Sequence, residues 1–413
     1  MAWWLCLFLM FILAVWLWTY FSATARSMLD FLYCEETPCT KFAPARARGN
    51  APLDADSADA CPQVTIIVPG RNEGHVLRRT LGSLCNLDYP NYRVIFVDDQ
   101  STDDTAAICR ELQDRYTHLS VVKNTQPPPP GWGGKVWAIH QAAQYVDTPV
   151  TLFTDSDIWH HPQSLRKMVE LQRYLDLDML SLLPNMERGG VIEQSVMLLA
   201  LHLIFTLISL HRSNDPRTPT PLTGGAYMLL RTAAYRRIGG HAAIHAQLVE
   251  DLALGSRMRS YGFRVFTVCT HDLLAGRMYE GIADTFRGLK KNAYSGLHCN
   301  PLLAILAALV MFLTGACVPF YLLFTAAAMA FHPMLPWMLA LCLAMAANIL
   351  FFLHFERLRQ ITLHSAAALW LTPVAVLFCL VVLAAGMWDY YIHGGSVWSG
   401  RVYSCDQVDF DAK

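Results

Sequence analysis

The sequence predicts an α/β domain with a parallel-rich central sheet, joined to about four transmembrane helices, one N-terminal and three C-terminal. Charged residues make up 16% of the 413 residues, against about 25% in typical globular proteins, and they are absent from residues 1–25, 292–355 and 360–388. Between the first two of these blocks, short β-branched runs alternate with helical stretches, the pattern of a parallel sheet covered on both faces. A wholly soluble enzyme is therefore excluded.

The first apolar run, Trp3–Phe21, is long enough to cross a membrane. Residues 23–25, Ala-Thr-Ala, would suit cleavage of a signal peptide. No basic residue precedes the run, however, and it is longer than the core of a signal peptide. We therefore expect a membrane anchor over residues 1–25. The first basic residue, Arg26, follows it, so the positive-inside rule places the N-terminus outside and the next domain in the cytoplasm.

Residues 26–62 have the composition of a linker, and residues 63–298 form the predicted cytoplasmic α/β domain. We predict strands at residues 64–68, 93–97, 119–122 and 150–153, and helices at residues 76–87, 105–116 and 136–145. Ligands of such sheets bind beyond the carboxyl ends of the strands. Residues that directly follow a strand are therefore the first candidates for chemistry.

Residues 299–390 hold the three predicted C-terminal spans, and residues 391–413 form a tail. The segment Pro301–Phe355 has room for two spans, with the prolines of residues 332–336 at the turn between them. Whether residues 301–331 form one span or two is left open. The loop Glu356–Arg359 carries two arginines and is expected in the cytoplasm, and the last span runs over Ala366–Trp388.

Acidic residues follow three of the predicted strands. Glu73 comes after the first strand, Asp98 and Asp99 after the second, and Asp155 and Asp157 after the fourth. Each could simply cap the following helix, but together they place several carboxylates at one edge of the sheet. Such carboxylates repel one another unless a cation is present. The Asp-x-Asp pair offers the hard oxygen ligands that Mg²⁺ or Mn²⁺ takes beside substrate phosphates.

A glycine-rich run with Lys135 precedes the third predicted helix. It is not a P-loop, since Val136 stands where a magnesium-binding hydroxyl would be. No GxGxxG sequence follows the first strand, which disfavours dinucleotide oxidoreduction. A glycine loop with a lysine at a helix start can still hold a diphosphate. The net charge of −1 provides no basic footprint for nucleic acid, so that partner is excluded.

Five motifs, in this order, resemble those of the family 2 glycosyltransferases with a GT-A fold. They are Val64–Glu73, Val97–Asp103, Asp155–Asp157, Leu222–Ala226 and Val249–Leu254. The resemblance covers about residues 64–294. The Gly-Trp-x-Gly-Lys-x-Trp-Ala run and the one-plus-three arrangement of spans look most like the hopene-associated glycosyltransferases. The resemblance implies a transferase that moves a sugar from a nucleotide donor.

The resemblance also implies roles for single residues. Asp99 would bind the nucleobase, Glu73 and Asp155 the ribose or metal region, Asp157 the divalent metal, and Lys135 the nucleotide. Pro69, Asp98 and Gly225 belong to the same donor site. Asp251 would be the general base, with Glu250 beside it as the orienting carboxylate. Arg287 and Lys290 would face either the donor diphosphate or lipid headgroups.

Three functions remain open. The first is inverting, metal-dependent transfer of one sugar, with a UDP-sugar as the expected donor, to the hydroxyl of a membrane lipid of hopanoid, other isoprenoid or sphingolipid-like type. The second is a processive polysaccharide synthase. Residues 286–292 lack the Gln-x-x-Arg-Trp motif of such synthases, which favours the first. The third is a non-catalytic membrane protein on a degenerate transferase domain, which the complete set of acidic residues disfavours.

The apolar run Val196–Leu210 lies inside the predicted α/β domain. It is short for a span, and a fifth span would invert the topology of the C-terminal helices. We expect a helix in the membrane interface, with a buried core helix as the alternative. The protein as a whole is expected in the inner (cytoplasmic) membrane, with several spans and its catalytic domain facing the cytoplasm.

Overall fold

The structure, a computed structural model, describes residues 2–21, 31–32, 61–207, 213–247, 249–297, 299–398 and 401–403. The chain divides into two compact units. The helical unit contains residues 1–29, 188–209 and 279–406, and the α/β unit contains residues 30–187, 210–278 and 407–413. The domain boundaries set by composition stay a prediction.

The α/β unit contains eleven described strands. They are β1 (Phe31–Leu32), β2 (Val64–Gly70), β3 (Tyr92–Asp98), β4 (Leu119–Lys123), β5 (Val150–Phe153), β6 (Ile158–His160), β7 (Met179–Leu183), β8 (Asn185–Met186), β9 (Met228–Arg231), β10 (Val265–Thr270) and β11 (Leu274–Gly276). One eight-stranded sheet has the order β1-β10-β7-β9-β5-β2-β3-β4, and a small sheet has the order β6-β11-β8.

The α-helices are numbered along the whole chain. They are α1 (Ala2–Thr19), α2 (Gly74–Leu84), α3 (Thr105–Arg115), α4 (Gly134–Ala143), α5 (Ser164–Tyr174), α6 (Val191–Leu207), α7 (Thr232–Arg237), α8 (Glu250–Ser260), α9 (Gly281–Ala293), α10 (Pro301–Met311), α11 (Val318–Phe331), α12 (Leu335–Thr362), α13 (Ala366–Trp370) and α14 (Thr372–His393).

The large sheet confirms the predicted parallel-rich architecture. The four predicted strands are β2 to β5, and the three predicted helices are α2 to α4, with boundaries that differ by a few residues. All strand pairs of this sheet are parallel except those of β9, which pairs antiparallel with β5 and with β7. The position of β9 between β5 and β7 and the small sheet were not predicted from the sequence.

Strand β2 shows why the sheet is buried on both faces. Every residue of β2 is buried, and successive side chains of a strand point to opposite faces. Ile66 therefore packs with Leu77 and Leu81 of α2, whereas Ile67 packs with Ala138 and Ile139 of α4. Burying each isoleucine contributes about 1.5–3 kcal/mol, so both helices are held against the centre of the sheet.

The helical unit contains the candidate membrane spans. Among the described residues, three helices are long and apolar enough to cross a membrane: Ala2–Thr19, Leu335–Gln360 and Thr372–His393. A fourth candidate is the pair Pro301–Ala316 and Val318–Phe331, which is bent by 55° at its break. A π-helical turn, Phe312–Ala316, and Pro319 lie at this bend. Both features interrupt the regular hydrogen-bond ladder of a helix and cause kinks.

Helix α6 packs inside the helical unit. Val196 and Leu199 of α6 belong to the same buried cluster as Ile12 of α1 and Phe351 of α12. The helix is apolar over residues 191–203. The predicted run Val196–Leu210 is described up to Leu207, and its first residues pack against α1 and α12. Its placement in the membrane interface or in a buried core stays a prediction.

Helix α9 also belongs to the helical unit. The ring centroids of Phe286 and of Phe378 of α14 lie 5.9 Å apart. Gly386 of α14 provides a close approach, since an added Cβ would lie 3.2 Å from the backbone oxygen of Lys290. Two short strands, β12 (Ser396–Trp398) and β13 (Arg401–Tyr403), form a hairpin after α14.

Candidate active site

The Asp155–Asp157 turn joins β5 to β6. Thr80 of α2 donates its hydroxyl to the backbone oxygen of Ser156 at 2.6 Å, which holds the turn against α2. Burial, together with the charges of Asp155 and Glu73, raises the pKa of Asp157 to about 7. The turn therefore presents a carboxyl group whose charge is poorly neutralised by the protein itself.

Glu73 lies at the start of α2, beside this turn. Its backbone N–H donates to the Thr105 hydroxyl at 2.9 Å, and the residue before it, Asn72, has a positive φ of 59°. Burial, with a contribution from Asp155, raises the pKa of Glu73. Pro69, also predicted to lie in the donor site, is a buried residue of β2 that pairs with Val97.

The two aspartates after β3 have different partners. Asp98 accepts a hydrogen bond from the backbone N–H of Ser101 at 2.9 Å, which closes a turn. Asp99 accepts one from the side-chain amide of Asn124 at 2.9 Å. Asn124 directly follows β4 and is buried. Asn124 was not predicted from the sequence, because its position after a strand is a weak signal for an amide.

Lys135 connects two acidic groups that are far apart in the sequence. Its Nζ lies 2.5 Å from Asp155 Oδ1 and 2.5 Å from Glu250 Oε1. Burial would lower the pKa of Lys135, but the two carboxylates outweigh that effect and hold the pKa well above its ordinary value. Gly225 lies against the same group, because an added Cβ would be 3.1 Å from Lys135 Nζ and 3.2 Å from Asp155 Oδ2.

Asp251 lies at the start of α8, and backbone N–H groups hold its carboxylate. Its Oδ2 accepts the N–H of Gly225 at 2.8 Å, and its Oδ1 accepts the N–H of Leu252 at 2.8 Å. Thr223 donates its hydroxyl to the Asp251 backbone oxygen at 2.6 Å. Burial and the neighbouring Glu250 raise the pKa of Asp251 to about 6. Its carboxylate is thus oriented, and more basic than an ordinary aspartate.

Arg287 and Lys290 lie on α9 in the helical unit. The guanidinium of Arg287 is 3.5 Å from Asp284, and Lys290 Nζ is 2.6 Å from Asp389 Oδ2 of α14. The structure therefore pairs both cations with acids of the helical unit. Their role toward the donor or toward lipid headgroups stays a prediction.

Asp155 and Asp157 are the residues best suited to hold a divalent cation. Within the described parts of the chain, no group of three or more His, Cys, Asp and Glu side chains could hold a metal by itself. Mg²⁺ is commonly bound by one or two carboxylates, with water and substrate phosphates as further ligands. Burial, with the charges of Asp155 and Glu73, raises the pKa of Asp157, and a bound cation would favour the ionised carboxylate. These residues fit a metal that arrives with a diphosphate.

Part of the chain is similar to known protein families and proteins. Residues 65–238 match the family described as Glycosyl transferase family 2. Over 98 residues the chain is 36% identical to the beta-monoglucosyldiacylglycerol synthase of Nostoc sp., which covers 23% of this chain and 20% of that protein. Over 257 residues it is 27% identical to the 4,4'-diaponeurosporenoate glycosyltransferase of Staphylococcus aureus, which covers 61% of this chain and 66% of that protein.

A solved structure has a similar fold. It is the mannosyltransferase PcManGT from Pyrobaculum calidifontis in complex with GDP-Man and Mn²⁺, with a TM-score of 0.53 and 16% sequence identity, over 94% of this chain and 99% of that chain. Residues 65–238 thus match glycosyltransferase family 2, and the α/β fold is GT-A-like. The matched part of the chain covers about a fifth of the beta-monoglucosyldiacylglycerol synthase and about two thirds of the 4,4'-diaponeurosporenoate glycosyltransferase.

Proposed function

We propose that this protein transfers a single sugar from a nucleotide-sugar donor to the hydroxyl of a membrane lipid, with inversion at the anomeric carbon and with a divalent metal. The observation that carries the proposal is the position of Lys135 Nζ, 2.5 Å from both Asp155 and Glu250. The ammonium group of Lys135 therefore contacts a residue of the proposed diphosphate site, Asp155, and the neighbour of the proposed base, Glu250.

The donor would bind at the carboxyl edge of the sheet. Asp99 is buried and held by Asn124, which suits a group that recognises a nucleobase by hydrogen bonds. Glu73 would face the ribose or metal region. Asp155 and Asp157 would hold Mg²⁺ or Mn²⁺, which supplies positive charge for the leaving diphosphate. Lys135 would exchange one of its present carboxylate partners for the donor's phosphate oxygens.

Asp251 would act as the general base. Its carboxylate accepts two backbone N–H groups, so its orientation is set before the acceptor arrives. With a pKa of about 6, it is ionised at neutral pH and still a better proton acceptor than an ordinary aspartate. Asp251 takes the proton of the acceptor hydroxyl while the oxygen of that hydroxyl attacks the anomeric carbon of the donor sugar. The bond from that carbon to the diphosphate breaks, so a single displacement inverts the configuration.

A lipid acceptor is supported by the helical unit and by the relatives. Three or four helices of this unit can span a membrane, so an acceptor dissolved in the bilayer is within reach of a membrane-bound enzyme. The two relatives are named for a glucosyldiacylglycerol and for diaponeurosporenoate. We propose a hopanoid, another isoprenoid or a sphingolipid-like lipid as the acceptor and a UDP-sugar as the donor.

The orientation in the membrane follows from the charges next to the spans. Residues 356–359, predicted as a loop, lie in the last turns of α12. The arginines there, and those that follow the N-terminal span, favour the cytoplasmic side. We propose that the protein lies in the inner (cytoplasmic) membrane with the α/β unit in the cytoplasm, where nucleotide sugars are made. Met1 and Lys413 would then be outside.

The proposal is tested with the full-length protein in lipid nanodiscs. A panel of nucleotide sugars is offered with Mn²⁺ and with fractionated lipid extracts, and release of the nucleoside diphosphate and the mass of the lipid product are measured. We expect one sugar per lipid molecule. A ladder of sugar additions would instead support a polysaccharide synthase. No sugar-bearing lipid with any donor would support a non-catalytic protein, and the Asp251→Asn variant is the matched control.

A further inference from the structure

A buried hydroxyl connects the metal-binding turn to the turn that holds the base. Thr154 Oγ1 lies 2.7 Å from the backbone oxygen of Ala226 and 3.0 Å from His160 Nε2. Thr154 directly precedes Asp155, and Ala226 directly follows Gly225, whose N–H binds Asp251. Thr154 and His160 are each about 1% exposed, so water does not compete for these contacts.

The hydrogen-bond donors of this network can be assigned from chemistry. A carbonyl oxygen only accepts, so the Thr154 hydroxyl donates its one proton to Ala226, in preference to the 3.5 Å contact with the Asp155 oxygen. Toward the imidazole the hydroxyl can then only accept. His160 must therefore carry its proton on Nε2, and its Nδ1 has no hydrogen-bond partner in the described structure.

The network lies where the backbone pairing of two strands stops. Strands β5 and β9 pair antiparallel up to Phe153 and Met228. Beyond that pair the chains diverge into the Asp155–Asp157 turn and the Gly224–Tyr227 turn. The Thr154 side chain takes over the link between them, and the His160 backbone N–H is itself held by Ser83 of α2 at 2.9 Å.

We propose that His160 and Thr154 are positioning residues, which set the distance between the carboxylates for the donor diphosphate and the base Asp251. Neither touches substrate. Thr154 acts through Asp155 on one side and through Ala226 and Gly225 on the other, and His160 fixes the direction of the Thr154 hydroxyl. The inference rests on the proposed transferase function. A misplacement of reacting groups by about 1 Å can reduce a rate by about 10²-fold.

The test compares variants that keep or remove the hydrogen bond at the same position. Thr154→Val removes the hydroxyl with little change of shape, and Thr154→Ser keeps it. His160→Leu removes the donor, and His160→Gln offers an amide N–H in place of Nε2. Thr151→Val is the matched control. Thr151 lies on β5, the strand that Thr154 directly follows, and the variant loses a buried hydrogen bond of 2.7 Å to Thr232, away from the carboxyl end of the strand.

We expect Thr154→Val and His160→Leu to lower kcat by about 10-fold to 10²-fold and to change the KM for the donor much less. Thr154→Ser and His160→Gln should restore most of the activity. The control Thr151→Val should lower the melting temperature but leave kcat near that of the wild type. Equal losses of kcat in the control and in Thr154→Val would overturn the inference, as would full activity of Thr154→Val.

A second measurement does not depend on turnover. In ¹⁵N-histidine spectra of the full-length protein, the signal that disappears in His160→Gln should be that of a neutral imidazole protonated at Nε2, and Thr154→Val should change it. A proton on Nδ1 or a charged ring would overturn the positioning network. If the wild-type protein uses no donor while this signal is as expected, the proposed function fails and the network stands.

Discussion

Replacement of Asp251 by asparagine tests the assignment of the base. Both oxygens of this carboxylate accept backbone N–H groups, one from Gly225 and one from Leu252, each at 2.8 Å. An asparagine side chain keeps only one oxygen, so its NH₂ group must face one of these donors. The variant therefore loses one hydrogen bond as well as the basic group.

The effect of Asp251→Asn on stability is the difference between two opposing contributions. The lost hydrogen bond destabilises the folded state by about 1–3 kcal/mol. Removing the charge stabilises it, because burial and Glu250 raise the pKa of Asp251 from 3.8 to about 6, a cost of at most about 3 kcal/mol when the group is ionised. At pH 8 the free energy of unfolding should therefore change by at most about 3 kcal/mol, while transfer falls by about 10² to 10⁴.

The pH dependence has a defined sign. Because the pKa of Asp251 is higher in the folded state than in the unfolded state, the folded chain binds more protons between pH 3.8 and about 6. This contribution lowers stability as the pH rises through that window and is constant above it. Asp251→Asn should remove it. Wild-type kcat/KM should fall about tenfold per pH unit below pH 6, as the base becomes protonated.

The assay combines initial rates from pH 5 to pH 9 with thermal unfolding of the same samples. Glu250→Gln is the control, because Glu250 contributes to the raised pKa of Asp251. This variant should remain more active than Asp251→Asn, and the acidic limb of its rate profile should move to lower pH. Wild-type rates in Asp251→Asn would refute the base assignment. An unfolded Asp251→Asn protein would refute the balance of energies worked out above.

Three further predictions concern the metal, the lysine and the membrane. Asp157→Asn, or excess chelator with the wild-type protein, should cut donor turnover by orders of magnitude and leave the circular dichroism spectrum unchanged. Full activity in either sample would contradict the metal assignment. Lys135→Met should raise the KM for the donor and lower the melting temperature, since Asp155 and Glu250 would face each other without a cation; an unchanged KM would contradict a role in donor binding. Reporter fusions at Lys413 should report the outside, and a cytoplasmic signal would overturn the topology.

The architecture of the α/β unit could be predicted from the sequence because it depends on local patterns. Strands β2 to β5 contain short runs of apolar and β-branched residues, and helices α2 to α4 alternate with them along the chain. The order of these elements along the chain is enough to predict a parallel sheet. Strand β9 was not predicted, because the direction in which a short strand joins a sheet depends on distant parts of the chain.

The acidic site at the strand ends is a prediction of the same local kind. Parallel strands bring their carboxyl ends to one edge, so we predict a shared site for Asp99 and Asp155 from the sequence. Asn124 and Thr154 carry no comparable signal. An amide or a hydroxyl after a strand is common, and only the packing around it shows whether it is buried against a carboxylate or a backbone oxygen.

The length and apolar character of the helices alone predicted the membrane spans, since a bilayer of about 30 Å demands runs of about 20 apolar residues. Only the tertiary structure decided that Lys135 bridges Asp155 and Glu250, and that α6 packs among the helices of the helical unit. Composition determines which solvent a segment prefers. Contacts between residues more than a hundred positions apart depend on how strands and helices pack, and no local pattern records that.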